Sequence, residues 1–217
     1  MKNFEFFTTE NGIASLTLDQ IPYSRRAYVL IRSASNIENF LEECKDFCRV
    51  AGAEKVYASG HENLEKYPHH TDVVKMMADS SFLTGEQARL FPVTEETGEK
   101  WRRVYNDRME AVPNSSFLDI KKMKSLQSSC SLYFVHENGE MIGIGAITDG
   151  CIKALASTVK GAGNKVLLTL CSAMASSNIT LEVATVNHKA IKLYEKSGFV
   201  KTELLSQWFV LYEKDQT

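Results

Sequence analysis

The sequence predicts a mixed α/β protein, and three features carry that prediction. The first 80 residues alternate strand-like and helix-like patterns. An Asn138-Gly139 dipeptide separates two apolar runs, the strongest short signal for an antiparallel hairpin. A glycine-bearing turn, Lys160–Lys165, then leads into an apolar helical pattern, followed by strand, helix and strand.

Length and composition set the frame. The chain has 217 residues, 24.4 kDa, a formal charge of -2 and a sequence pI near 6.2. That length suits one large domain or two small ones, burying roughly 70% of the unfolded surface without a disulfide or metal staple. Near-neutral charge argues against nucleic acid, because phosphate binding needs a basic patch. The densest basic run, Lys121-Lys122 with Lys124, reads as a solvated surface. No apolar stretch approaches the ~18 residues of a membrane span. The start of the chain, MKNFEFFTTENG, lacks the apolar core of a secretory leader, so a cytoplasmic location is expected. Five cysteines, none in a Cys-x-x-Cys pair, read as buried reduced thiols. The adjacent His69-His70 reads as surface, and no zinc-ligand spacing is present.

The elements follow in order. Tyr28–Arg32 suits a strand, and Asn36 caps a helix in which Ile37, Phe40, Leu41, Cys44 and Cys48 share one face. Ala51-Gly52 closes that helix; Lys55–Ser59 reads as a strand and Asp72–Ala78 as a short helix. The pattern breaks near Ser80–Arg89, which places a soft boundary between an N-terminal α/β domain, 1–84, and a second domain, 85–217. The second domain opens with the helix-start signal Thr94-Glu95-Glu96-Thr97, and a helix through Trp101, Val104, Tyr105 and Met109 ends before Pro113. After a polar stretch, the runs Ser131–Val135, Met141–Thr148 and Cys151–Val159 form three antiparallel strands, with Asp149-Gly150 as the second turn. Ile179–Thr185 alternates as a strand, Asn187–Lys196 is helical and stops at Gly198, and Phe199–Leu205 and Trp208–Glu213 are two closing strands.

The turn Lys160-Gly161-Ala162-Gly163-Asn164-Lys165 is the first candidate site. Between a strand and a helix, such a turn presents free backbone N–H groups at the positive end of the helix dipole and can bind a phosphate. Two lysines add positive charge; a tight turn with solvated lysines is the other reading. A nucleotide P-loop needs four residues between its glycines, and a dinucleotide fingerprint needs a third glycine where Val166 stands. Both common nucleotide readings therefore fail.

The C-terminal part of the chain, from about residue 90 to 213, resembles the GNAT superfamily of N-acetyltransferases. Ile152–Val159 is similar to the family's central strand, whose backbone pairs with the pantetheine arm of acetyl-CoA. The stretch KGAGNK resembles its pyrophosphate loop, and LEVATVNHKAIKLYEKSGF, residues 181–199, its later strand–Asn–helix motif. Two departures stand out: Val159 meets Lys160 with no intervening residues, and Lys165 occupies a position that is small in the family.

The resemblance implies an acyl-CoA N-acyltransferase fold, with a mostly antiparallel mixed sheet flanked by helices. It implies acetyl-CoA as cosubstrate and no metal. It assigns cofactor contacts to Ser157, Thr158, Val159, Lys160, Gly161, Ala162, Gly163, Asn164, Lys165, Asn187, Ala190 and Tyr194. Tyr194 is also the implied proton donor to the departing thiolate; read on its own, it rather suits an aromatic packed beside Ala190 and Ile191 on the inward helix face. Asn187 likewise reads on its own as a helix cap.

Acetyl transfer needs a free amine, an oxyanion donor and an acid for the thiolate. The central strand carries Lys153 but no carboxylate, and the nearest acidic residues are Asp149 and Glu182. Trp101, Tyr105 and Arg108 are candidates for the amine pocket, the first two fitting core packing equally well. The expected reaction is acetyl transfer to a primary amine of a small molecule or protein. A non-catalytic acyl-CoA-binding or interaction module is the alternative, and a homodimer is one option for assembly. The N-terminal domain reads either as a degenerate half-copy of the same fold, lacking a glycine loop at Ser33-Ala34-Ser35-Asn36, or as an unrelated α/β cap.

Overall fold

The computed structural model describes residues 5–110, 112 and 115–214. Met1–Phe4, at the head of the stretch read for a leader, and Pro113 lie outside them. The chain packs as two compact units, one formed by Met1–Val73 with Leu204–Thr217 and the other by Val74–Glu203. The sequence reading divided the chain at residue 84 and assigned the whole C-terminus to the second domain; the packing units instead count the last segment with the first.

The first unit holds β1 (Glu5–Thr9), β2 (Gly12–Thr17), the short helix α1 (Ile21–Ser24), β3 (Arg26–Ala34), α2 (Ile37–Val50) and β4 (Lys55–Ser59). Strand β5 (His69–Asp79) begins in it, and the last strand, β11 (Val200–Glu213), ends in it. β1, β2 and β3 form an antiparallel meander; β4 lies parallel to β3, and β11 antiparallel to β4. Helix α2 forms because its apolar residues recur on one face. Phe40, Leu41, Cys44 and Cys48 are fully buried against Val29, Ile31, Val56 and Ala58. Asn36 caps it by accepting the Asn39 N–H at 3.3 Å, and Gly52 ends it at φ +99°.

The second unit holds β6 (Arg89–Pro92), α3 (Gly98–Met109), α4 (Ile120–Ser129), β7 (Ser131–Glu137), β8 (Glu140–Thr148), β9 (Cys151–Ser157), α5 (Gly163–Cys171), β10 (Asn178–Ala184) and α6 (His188–Lys196). Its strands run in the order β5-β10-β9-β8-β7-β6. The pairs from β6 to β9 are antiparallel, and β10 is parallel to β9. Asn138 (φ 50°) and Gly139 (φ 84°) make the β7–β8 turn that the dipeptide predicts.

The sheet's side chains divide between two cores. Ile142, Ile147 and Ile152 join α5 and α6, whereas Ile144, Ala146 and Ala156 join α3 and α4. Trp101, fully buried, donates its indole N–H to the Tyr133 carbonyl (3.1 Å) and stacks on Tyr105. Burying a ring of that size contributes about 3 kcal/mol, enough to fix α3 on the sheet. The meander β7-β8-β9, the crossover α5 and the parallel β10 repeat the connectivity of β1-β2-β3, α2 and β4.

Several sequence expectations are corrected. Residues 72–78 belong to strand β5, along which Thr71, Val74, Met76 and Ala78 are buried; the paired Val and Met residues mimic a helical stripe. The two closing strands are one, β11. The polar stretch before β7 contains α4, capped by Asp119 accepting the Lys122 N–H at 2.7 Å. The first 17 residues include the hairpin β1–β2, which the pattern reading passed over. Thr97 does not cap α3 with its side chain; Thr94 and Thr97 instead bond each other's amides and hydroxyls. All five cysteines are free thiols, but Cys130 and Cys151 are half-buried, not buried.

Candidate functional site

The site starts from an irregularity in β9. In its pairing with β8, Ala146 faces Ala154 and Ile147 faces Ile152, so Lys153 is an extra residue: a β-bulge. A bulge bends its strand and adds twist. On the other side of β9 the parallel pairing with β10 ends at the same level, after Thr180–Cys151 and Leu181–Ile152. Beyond Ile152 and Leu181 the two strands part, and a wedge opens toward their C-terminal ends.

One wall of that wedge is backbone. The Thr158 N–H donates to the Ile142 carbonyl (2.9 Å), which makes Ile142 and Thr158 a hydrogen-bonded pair across β8 and β9. In an antiparallel ladder alternate residues turn their polar groups outward. Ser157 and Leu155, opposite Gly143 and Gly145, therefore direct N–H and C=O groups into the wedge. Thr158 does not: its amide is spent on Ile142, its hydroxyl donates to the Met141 carbonyl (2.6 Å), and its own carbonyl accepts from Arg108 Nη2 (3.2 Å). Thr158 thus anchors the strand end, and its amide is not among the outward groups.

The loop follows at once. Val159 and Lys160 are exposed, and Gly161 takes φ +88°, where a side chain would be strained. The Ala162 N–H closes a turn onto the Val159 carbonyl (3.2 Å), and the first helical bond of α5 runs from the Val166 N–H to the Ala162 carbonyl. No side chain caps this helix. Among the described residues, the N–H groups of Gly161, Gly163, Asn164 and Lys165 have no protein acceptor. Free donors gathered at a helix N-terminus can receive an anion. A Cβ on Gly163 would lie 3.3 Å from Leu193 Cδ2, so the glycine lets α5 start close against α6.

Lys165 departs from the family pattern in a definite way. Its ammonium lies 2.5 Å from a Glu137 carboxylate oxygen and 2.8 Å from one of Glu86. Those contacts raise the lysine's pKa and hold the Glu86 carboxyl below the usual carboxylate range. The long side chain is thus drawn to two carboxylates and leaves its backbone N–H to the loop.

Helix α6 supplies the remaining candidates. Asn187 caps it, its side-chain oxygen accepting the Ala190 N–H at 3.3 Å. Ser197 at its far end donates its hydroxyl to the Asn164 side-chain oxygen (2.9 Å), which ties the helix to the loop. Tyr194 is buried, tilted against Phe199 at 5.9 Å between centroids, and packed in the same core as Ile191. Burial, with the Cys171 thiol nearby, pushes its hydroxyl up to about 12. The packing role read from the sequence is therefore real, and the shift keeps the phenol protonated at neutral pH.

The other candidates separate by position. Trp101 and Tyr105 are core, and only Arg108 reaches the end of β9. Asp149 sits in the β8–β9 turn, about eight residues and roughly 25 Å along the strand from Ser157. Glu182 follows Leu181 directly, at the point where β10 leaves β9, and is exposed. Pattern reading missed Gly143 and Gly145. A Cβ at those positions would lie 2.6 Å from Val166 and 2.3 Å from Leu170, so the two glycines allow α5 to lie close on β8. Their period-two spacing in the strand Gly143-Ile144-Gly145 was the available signal.

The first unit has the same connectivity without these features. β3 and β4 stay paired along all of β4, from Arg26–Lys55 to Leu30–Ser59, and α2 is capped by its own Asn36. Among the described residues no group of three His, Cys, Asp or Glu side chains is placed to hold a metal, and no helix is long and apolar enough to cross a membrane.

No family model matches the chain, and no curated protein sequence matches it. Solved structures do resemble it. A functionally unknown conserved protein from Staphylococcus epidermidis aligns with a TM-score of 0.59 at 12% identity, over 99% of this chain and 96% of its own. A GCN5-related N-acetyltransferase from Sphaerobacter thermophilus aligns with a TM-score of 0.51 at 14% identity, over 94% of this chain and 78% of its own. A GNAT-family acetyltransferase from Colwellia psychrerythraea gives 0.51 at 13%, over 94% and 84%. At such identities the likeness speaks to architecture: the chain has the mixed α/β fold, with a mostly antiparallel sheet flanked by helices, of the GNAT acyltransferases.

Proposed function

We propose that the protein is an N-acetyltransferase that moves the acetyl group of acetyl-CoA to a primary amine by direct attack. The observation that carries this reading is the wedge between β9 and β10 ending at an uncapped helix. One continuous path offers outward backbone groups on β9 for an amide-bearing arm and four free N–H groups for a pyrophosphate.

In this reading Ser157 and Leu155 pair with the pantetheine arm, and one outward N–H of this strand edge polarises the thioester carbonyl. The amides of Gly161, Gly163, Asn164 and Lys165 hold the pyrophosphate. Asn187 sets the start of α6, with Ala190 beside it, so that Tyr194 faces the sulfur. The Tyr194 phenol enters protonated, and in this reading its hydroxyl hands a proton to the departing thiolate. Glu182, at the narrow start of the wedge where β10 leaves β9, is the carboxylate assigned to take the ammonium proton through water.

The alternative, an interaction module of the same fold without turnover, is separated from this reading by calorimetry. Acetyl-CoA is expected to bind with micromolar affinity, and Asn164→Asp to weaken binding by about tenfold or more through repulsion of the pyrophosphate. The same charge is favourable at a helix N-terminus, so thermal stability should hold or rise slightly. Absence of acetyl-CoA binding to the unaltered protein would overturn the proposal.

A further inference from the structure

The first half of β11 is unusually bare. Val200 is 59% exposed, Leu204 53% and Leu205 39%, and Lys201, Thr202 and Glu203 between them are exposed as well. One edge of this segment is engaged, since the Thr202 hydroxyl donates to the Lys75 carbonyl and Glu203 lies 4.0 Å from the Lys75 ammonium. β4, the other neighbour of β11, registers only with Phe209–Glu213. Among the described residues no strand pairs the second edge of Val200–Leu205. A free strand edge is a template for another strand, and exposed apolar residues along it argue against a merely solvated edge.

The segment is complementary to itself. Antiparallel pairing about a two-fold axis at Thr202 sets Lys201 opposite Glu203 of a second copy, and Val200 opposite Leu204, each contact occurring twice. A shift of the axis by one residue is penalised. Centred on Lys201, it sets two lysines face to face; centred on Glu203, it sets two glutamates face to face. The charge pattern thus selects one register, as an isologous interface requires. Lys201 and Glu203 have other ion-pair neighbours in the chain, Glu195 at 3.7 Å and Lys75 at 4.0 Å, but both contacts are long and exposed.

We infer that Val200–Leu204 is a homodimer edge, at which β11 pairs antiparallel with β11 of a second copy of this chain. The inference is independent of the acetyltransferase reading.

Sedimentation equilibrium on the full chain tests it. The unaltered protein is expected to be a dimer at micromolar concentrations that dissociates on dilution. Lys201→Glu and Glu203→Lys, made singly, each create two like-charge pairs and should weaken dimerisation by roughly tenfold or more. The combined Lys201→Glu/Glu203→Lys chain restores opposite charges and should restore the dimer. Circular dichroism on each variant confirms that the fold is retained. A monomeric unaltered protein overturns the inference, as does a dimer indifferent to the single reversals or one the double reversal fails to rescue.

Discussion

Tyr194 carries two duties that pull on the same side chain. It is a core residue of α6, and it is the proposed donor to the thiolate; burial fixes the ring for both, while the raised pKa makes the phenol a weaker acid. Tyr194→Phe retains the packing and removes the hydroxyl. It should lower kcat by about 10² while leaving the dissociation constant for acetyl-CoA within a few-fold, compared by steady-state kinetics and calorimetry. The pKa shift also fixes a sign. A phenol raised to about 12 favours the folded state below its unfolded value near 10, and that contribution fades as pH rises toward 12. Chemical denaturation between those limits should show the unaltered protein losing stability that Tyr194→Phe does not lose. Glu182 belongs to the same scale. Glu182→Gln should reduce kcat/KM by roughly 10² near neutral pH, with much of the loss recovered at high pH where the amine is already free. An unchanged pH profile would remove Glu182 from the mechanism.

At the scale of the element, α5 decides where the anion loop sits, and β8 decides where α5 sits. Gly143 and Gly145 leave no room for a Cβ under Val166 and Leu170. Gly145→Ala should cost about 1–3 kcal/mol by overpacking, measured by urea denaturation, and should weaken acetyl-CoA binding because the helix must lift. An alanine that lowers stability and leaves binding unchanged would show that the loop does not depend on this contact. This dependence was hard to read in the sequence, since nothing in a glycine names the helix that crosses it. What was legible had local causes. Asn36 and Asn187 cap, Asn138-Gly139 turns, and the spacing of Phe40, Leu41, Cys44 and Cys48 gives α2 to the residue. What was missed rests on partners distant in the chain. Strand β5 was read as a helix because Val73-Val74 and Met76-Met77 fit either period until the neighbouring strands choose one. The bulge at Lys153 appears only in the pairing of two strands, so the wedge itself was reachable through resemblance alone.

For the whole molecule, the repeated connectivity raises the question of whether each unit is a cofactor half. The meander, crossover helix and parallel strand occur twice, as expected if one half descends from the other. The repeat stops short of the features proposed to hold the cofactor. β3 and β4 are zipped along the whole of β4, so no backbone edge is free to take a pantetheine arm. Gly60, just past β4, would place a Cβ only 2.5 Å from the Ile31 carbonyl, so the chain presses against β3 where the other pair has parted. The N-terminus of α2 spends a side-chain acceptor on its own Asn39 amide, and no glycine precedes it in Ser33-Ala34-Ser35-Asn36. Three independent requirements thus fail together in the first unit and hold together in the second. Calorimetric titration should accordingly give one acetyl-CoA per chain, and Asn164→Asp should weaken that one event rather than expose a second. A stoichiometry of two would mean that β3 and β4 separate to admit a ligand. That opening would break a ladder now intact, so the second site should bind far more weakly than the first.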